Sequence, residues 1–183
     1  MSEIFFAKYY KFYRYEKELT EEDAKFTIPE GYIIRELNPD MDYEKFKSAW
    51  QKIYSAILPE PYVKIDKKIL LKYPKTFIVI NSKKDIVGFT VCYTKEDKKA
   101  GKILRIGVLL SLRKKGFGLL LYRQACKYYL SNNLKNIFFD VYESDFSLIK
   151  LAEKAGFKRT KEFYITIDDP IENFISLEII MSL

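Results

Sequence analysis

The sequence contains no histidine, and this absence excludes a large part of enzyme chemistry. Serine–histidine and cysteine–histidine nucleophiles cannot form, and no metal can be held by imidazole ligands. The chain has two cysteines, Cys92 and Cys126, which lie far apart in apolar surroundings. A four-thiolate metal site is therefore impossible, and we expect no metal. Two buried free thiols are expected rather than a disulfide.

Long apolar runs are also missing, since no stretch approaches the length that a bilayer-spanning helix needs. The first residues are aromatic and charged and lack the apolar core of a signal peptide. We therefore expect a cytoplasmic protein with no membrane partner. The 183 residues, 48% of them hydrophobic, are enough for one domain with a sizeable core.

Positive charge is in excess, with a net charge of +7 and a pI near 9.1. Such a surface favours an anionic partner, which could be a nucleotide-like cofactor, a nucleic acid or an acidic protein. An ordinary lysine-rich solvated surface explains the same numbers. On charge alone we favour this ordinary explanation, and nucleic acid is not an expected partner.

Residues 1–30 differ from the rest of the chain. The stretch from Ile4 to Tyr15 is dense in aromatic residues and follows neither the helix period nor the strand period. Pro29, Glu30 and Gly31 then interrupt the chain. We interpret residues 1–30 as an N-terminal extension that packs on the core or shapes an acceptor pocket, and residues 31–183 as the main domain. Lysine, arginine and tyrosine interleaved in this way could also stack on nucleobases.

Beyond residue 31, stretches with the period of a strand alternate with stretches that have the period of a helix. Phe46, Ala49, Trp50 and Ile53, for example, share one face of a helix. The predicted strands are 32–37, 76–81, 86–94, 102–109, 137–142, 157–167 and 174–182. The predicted helices are 42–57, 66–72, a stretch that follows Gly118 and ends at about 131, and 146–155. This order predicts the α/β class, with a mixed sheet and helices on both faces.

The most informative stretch runs from the end of one strand into a helix, through Arg113, Lys114 and Lys115 to Gly116, Phe117 and Gly118. Glycines allow a backbone to approach a ligand closely. The first amides of a helix have no partner within the helix, and the helix dipole adds positive charge at that end. Together with the three basic side chains, these features predict a site for a pyrophosphate.

Two common phosphate motifs do not fit this loop. Nothing matches the Walker A pattern, and a dinucleotide fingerprint would require Gly or Ala where Leu121 stands. The pattern R-x-x-G-x-G from Arg113 to Gly118 instead resembles the acetyl-CoA pyrophosphate loop of the GNAT superfamily. A basic turn with a glycine before a helix is the plainer alternative. The superfamily's later order of strand, loop, helix and Gly-Phe pair matches 137–142, 146–155 and Gly156-Phe157. The resemblance covers roughly residues 31–183, and its motifs 103–157.

The resemblance implies a mixed, mostly antiparallel sheet that is splayed between the strands around 103–109 and 137–142, with the pantetheine arm between them. Ile106 and Val108 would offer backbone groups to that arm, and an amide near Val108 would stabilise the oxyanion. Residues 113–118 would hold the pyrophosphate. The implied activity is an N-acetyltransferase with acetyl-CoA as co-substrate and an amine as acceptor, working as a monomer or homodimer. A small molecule, a lysine or a protein N-terminus remain open as acceptors.

Two positions depart from the superfamily's pattern. Asp145 stands where an asparagine is common, and we interpret it as a helix cap. Ala152 stands where many members have the tyrosine that protonates the departing thiolate. Tyr142, Tyr93 and Tyr164 are candidate substitutes, although water could serve because thiols are good leaving groups.

The proton acceptor for the amine is also open. Asp140 is the charged residue of an otherwise apolar strand, at a position where protein N-terminal acetyltransferases of this superfamily have a catalytic carboxylate. Glu143 is a second carboxylate nearby. A charge in such a strand needs a partner or a purpose, and a strand-end Asp that faces solvent or a basic neighbour is the alternative for Asp140.

Two other functions remain as alternatives. Ala152 favours a catalytically weak CoA-binding regulatory protein. The basic charge and the aromatic N-terminus favour a nucleic-acid-binding module, which a salt-dependent interaction with DNA or RNA would reveal.

Overall fold

A computed structural model describes residues 9–55, 65, 67, 71, 75–94 and 100–166. The α/β class is confirmed. The strands are β1 (Tyr9–Glu18), β2 (Tyr32–Glu36), β3 (Lys75–Asn81), β4 (Ile86–Thr94), β5 (Ala100–Val108), β6 (Asn136–Tyr142) and β7 (Lys158–Thr166). The helices are α1 (Pro39–Tyr54), α2 (Phe117–Ser131) and α3 (Phe146–Lys154). The predicted strand 174–182 lies outside the described residues, and the predicted helix 66–72 lies almost entirely outside them.

The strands form one 7-stranded sheet in the order β2-β3-β4-β5-β6-β1-β7. Every neighbouring pair is antiparallel except β5 and β6, which run parallel. The predicted mixed and mostly antiparallel sheet is therefore confirmed. Within the described part of the chain, no helix is long and apolar enough to cross a membrane.

The N-terminal segment supplies an inner strand of the sheet. Residues 9–18 form β1, which lies between β6 and β7, and the division of the chain at residue 30 stays a prediction. Phe12 is opposite Tyr142 in β6 and opposite Phe163 in β7. The aromatic stretch lacks a clear period because aromatic residues occupy both faces of β1, with Phe12 on one face and Tyr15 in the core on the other.

One face of the sheet is covered by α1. Asn38 caps this helix by accepting hydrogen bonds from the amides of Asp40 and Met41. Its buried side chains stack on Phe89 of β4, with the Trp50 and Phe89 ring centroids 5.2 Å apart. A Cβ atom at Gly107 would lie 3.0 Å from Ile53 of α1, so glycine at this position lets α1 pack directly on β5.

The other face is covered by α2 and α3. Tyr129 of α2 lies so close to β5 that a Cβ atom at Gly101 would be 2.2 Å from its ring. Cys92 of β4 and Cys126 of α2 are both buried and free, as predicted. Burial raises the pKa of each thiol to about 12, which makes both unreactive at neutral pH.

Candidate active site

A cleft opens between the two parallel strands. β5 and β6 pair only from Ala100 to Lys102 and from Asn136 to Phe138. Both strands continue beyond this point, β5 to Val108 and β6 to Tyr142. Among the described residues, no pairing between their facing edges continues past Lys102 and Phe138, and the predicted splaying is confirmed.

The backbone of β5 presents specific groups to this cleft. The Leu109 amide donates to the Val87 carbonyl across 2.9 Å, so residue 109 directs its backbone towards β4. In an antiparallel ladder the direction alternates from one residue to the next. With Val108 opposite Gly88 in this register, Val108 and Ile106 direct their N–H and C=O groups away from β4 and into the cleft. Both residues are thus oriented as their predicted role requires.

Two side chains contact these carbonyl groups. The Arg113 Nε donates to the Val108 carbonyl at 3.3 Å, and the Tyr54 hydroxyl lies 3.5 Å from the Ile106 carbonyl. Arg113 therefore connects the basic loop to the cleft edge of β5, while Tyr54 reaches the same edge from α1.

A β-bulge lies between the paired and unpaired parts of β5. Val91 is opposite Arg105, but the next residue, Cys92, is opposite Ile103, which leaves Leu104 as the extra residue. Bulges bend a strand and increase its twist. This one helps β5 to diverge from β6 directly after Lys102. No glycine marks the position, so the sequence pattern did not reveal it.

The basic loop has the backbone geometry of an anion site. Lys114 and Gly116 have φ angles of 62° and 88°, both in the left-handed region. Gly116 is the N-cap of α2, and the first turn of that helix contains no acidic residue. The Leu120 amide donates to the Gly116 carbonyl, so the amides of residues 117–119 precede the first hydrogen bond within the helix.

Space at this loop also suits a bound anion. A Cβ atom at Gly116 would have nothing within 4 Å, which leaves the N-terminus of α2 open. Lys114 and Lys115 are exposed beside it. These residues fit a pyrophosphate, with backbone N–H groups and the helix dipole directed at it. Binding of a pyrophosphate here stays a prediction. The backbone N–H groups and the two lysines are donors that suit such an anion.

Two residues of the loop have packing roles that the sequence did not show. The Phe117 side chain is buried, with its ring 4.7 Å from that of Tyr32, so only its backbone faces a ligand. A Cβ atom at Gly118 would lie 3.5 Å from Leu151 of α3, an ordinary contact. Gly118 therefore faces α3 rather than open space.

Asp140 lies in a buried ion-pair network. Its carboxylate accepts two hydrogen bonds from Arg14, at 2.7 and 3.0 Å, and Lys102 Nζ is 3.0 Å away. The side chains of Asp140 and Lys102 are 6% and 3% exposed. Arg14 comes from β1 and Lys102 from β5, so the network crosses β6 at the point where the cleft begins.

This network determines the protonation of Asp140. Burial raises the pKa of the carboxyl, but the hydrogen bond from Arg14 and the charges of Lys102 and Arg14 outweigh it and lower the pKa overall. A carboxylate stabilised in this way is a weaker base than a free one. The geometry favours the ion-pair alternative, and the role of Asp140 as general base stays a prediction.

The other candidate catalytic residues are dispersed. Tyr142 ends β6 with its ring 5.6 Å from that of Phe12. Glu143 follows it, partly exposed, and its amide donates to the Lys11 carbonyl. Tyr93 lies on β4 and the exposed Tyr164 on β7, neither of which borders the cleft. Only Tyr142 among the three candidate tyrosines belongs to a strand of the cleft.

Asp145 and Ala152, the two positions that depart from the superfamily's pattern, both have structural roles. Asp145 caps the helix, since its Oδ1 accepts from the Leu148 amide at 3.0 Å, as predicted. Ala152, on the inner face of α3, is completely buried in the core. With alanine at this position, α3 supplies no phenol to the cleft. Among the described residues, no group of His, Cys, Asp or Glu is placed to hold a metal ion.

Comparison with known proteins agrees with this geometry. The model of the acetyltransferase (GNAT) family matches residues 43–157, more than half of the chain. The chain therefore belongs to the GNAT family. No curated protein matches it significantly.

Solved structures share the fold at low sequence identity. A GCN5-related N-acetyltransferase from Sphaerobacter thermophilus matches with a TM-score of 0.64 and 16% identity, over 88% of this chain and 53% of that one. A putative GNAT-family acetyltransferase from Novosphingobium aromaticivorans matches with a TM-score of 0.66 and 12% identity, over 87% and 64%. The PaiA N-acetyltransferase of Thermoplasma acidophilum, in complex with coenzyme A, matches with a TM-score of 0.61 and 18% identity, over 69% and 89%. The chain thus spans about half to two thirds of the first two.

Proposed function

We propose that this chain is an N-acetyltransferase that transfers an acetyl group from acetyl-CoA to a primary amine, by direct attack of the amine on the thioester. The acceptor is a small molecule, a lysine side chain or a protein N-terminus. The observation that carries the proposal is the cleft between β5 and β6, whose open end lies beside the N-terminus of α2 and its basic loop.

Different residues on the β5 side bind different parts of acetyl-CoA. The amides at the start of α2, with Lys114 and Lys115, bind the pyrophosphate. Val108 and Ile106 pair with the amide groups of the pantetheine arm, as one strand pairs with another. An amide on this edge also donates to the thioester oxygen as negative charge develops there. These groups are oriented before the substrate binds, which is the main source of electrostatic catalysis.

Two measurements on the wild-type protein test this function. Acetyl-CoA at about 100 times its Kd should add about 2.7 kcal/mol to the free energy of unfolding and raise Tm, because the ligand binds the folded state. Release of free CoA thiol should then depend on one class of amine within a panel of small amines, lysine peptides and peptides with free N-termini. No change in Tm at millimolar acetyl-CoA would exclude the proposal.

Ala152 supports a second candidate, a regulatory protein that binds CoA without catalysis. This candidate predicts the same rise in Tm but no thiol release with any amine. The two measurements together therefore distinguish an enzyme from a sensor.

A further inference from the structure

The thiolate that leaves during acyl transfer needs a proton, and α3 offers no phenol for it because Ala152 is buried. The structure brings a different phenol to the cleft. Tyr54 is the last residue of α1, the helix on the opposite face of the sheet from α3. Its hydroxyl lies 3.5 Å from the Ile106 carbonyl.

The position of that carbonyl decides what Tyr54 can reach. The register with β4 directs the Ile106 carbonyl into the cleft. A hydroxyl beside this oxygen therefore lies at the cleft edge of β5. At 3.5 Å this hydrogen bond is long and weak.

The ring of Tyr54 is held in place by its neighbours. It packs edge-on against Trp50, with centroids 4.8 Å apart, and lies 6.0 Å from the ring of Phe89. The residue is only 5% exposed. A ring fixed in this way keeps its hydroxyl in one position, as a catalytic group requires.

The proposed substrate places the reacting sulfur near this hydroxyl. With the pyrophosphate at α2, the pantetheine arm passes Val108 before it reaches Ile106. The thioester follows the arm and lies at Ile106 or just beyond it, towards the closed end of the cleft.

We propose that Tyr54 is a catalytic residue of this transfer, which donates its phenolic proton to the CoA sulfur. The inference rests on the proposed function. The amine nitrogen bonds to the acyl carbon and loses a proton to solvent. The carbon–sulfur bond breaks, its electron pair goes to sulfur, and sulfur takes the proton of Tyr54. Solvent then returns a proton to the tyrosinate.

Tyr54→Phe tests the inference, because it removes only the hydroxyl and keeps the ring. We expect kcat for thiol release, measured with acetyl-CoA and the amine that the wild type accepts, to fall by roughly 10²-fold. This is the low end of the span for general acids, since a thiol is a good leaving group. The KM for acetyl-CoA should change less than about twofold, because the cofactor contacts remain.

Tyr43→Phe is the matched control. Tyr43 lies on the same helix, and its hydroxyl also donates to a backbone carbonyl, that of Ile65, at 3.2 Å. The kcat of Tyr43→Phe should stay within about twofold of the wild type, because the Tyr43 hydroxyl lies beside Ile65 and not at the cleft edge of β5. An equal fall in both variants would overturn the inference and indicate a general effect of α1 packing.

A second measurement needs no acceptor amine. The thiol of bound CoA can be titrated through the ultraviolet absorbance of its thiolate. A donor hydroxyl stabilises the thiolate, so Tyr54→Phe should raise the pKa of the bound thiol by about one unit. An unchanged thiol pKa or an unchanged kcat would overturn the role of Tyr54. Failure of the wild type to bind CoA would instead overturn the proposed function itself.

Discussion

The two edges of the cleft are built differently. The β5 edge directs the backbone groups of Ile106 and Val108 into the cleft and leads directly into the basic loop. On the β6 edge, Asp140 is ion-paired with Arg14 and Lys102, and β1 is hydrogen-bonded to the other edge of β6. The β5 edge is therefore suited to bind a substrate, and the β6 edge to hold the cleft in shape. A charged residue in a cleft is not catalytic by virtue of its position alone.

The largest effect should come from breaking the network on β6. Asp140→Asn leaves Arg14 and Lys102 without their carboxylate, and loss of one partner of a buried ion pair costs about 3–5 kcal/mol of unfolding free energy. Denaturant unfolding at neutral pH measures this loss. Glu143→Gln is the control, and its stability should be unchanged. If Asp140 is instead the general base, stability should persist while turnover falls by roughly 10²–10⁴-fold and recovers in part at high pH.

The pH dependence of stability also distinguishes an ion-pair role of Asp140 from a role as general base. The pKa of Asp140 is lowered in the folded protein, so its contribution is complete above the unfolded value of about 3.9 and is lost as pH falls through the folded value. The difference in unfolding free energy between wild type and Asp140→Asn should therefore narrow as pH falls from 6 towards 3. A constant difference over this range would contradict the ion-pair explanation.

The smallest effect concerns the basic loop on the β5 side. Lys115→Ala should weaken acetyl-CoA binding by about 0.3–1 kcal/mol at low ionic strength, as expected for one exposed charge at a helix N-terminus. The loss should shrink at high salt because exposed charges are screened. Calorimetric titration at two salt concentrations measures both.

Lys127→Ala provides the control for this variant. It removes the same charge from an exposed position later in α2. Its affinity for acetyl-CoA should match that of the wild type. Equal weakening in the two variants would mean that net charge, rather than the loop, attracts the ligand.

Interpretation of the sequence succeeded where the signal was local. The helix period of α1, the cap at Asp145 and the glycines of the loop are patterns within a few residues, so they predicted elements and their order. Tyr54, which we propose as the proton donor, was not a candidate in the sequence because its spacing placed it on the apolar face of α1, where a tyrosine is indistinguishable from core. Lys102 was missed because a lysine at the start of a strand is ordinarily solvent-exposed.

The sequence by itself determined the α/β class, the basic loop at the start of α2 and the two free thiols, because turn chemistry and hydrophobic period act between near neighbours. Only the tertiary structure decided that β1 lies between β6 and β7, and that Arg14 meets Asp140 although they are 126 positions apart. The physical reason is that strand partners are chosen by packing and hydrogen bonding between distant segments. Local spacing contains no information about those contacts, so the sequence alone could not predict the partner of Asp140.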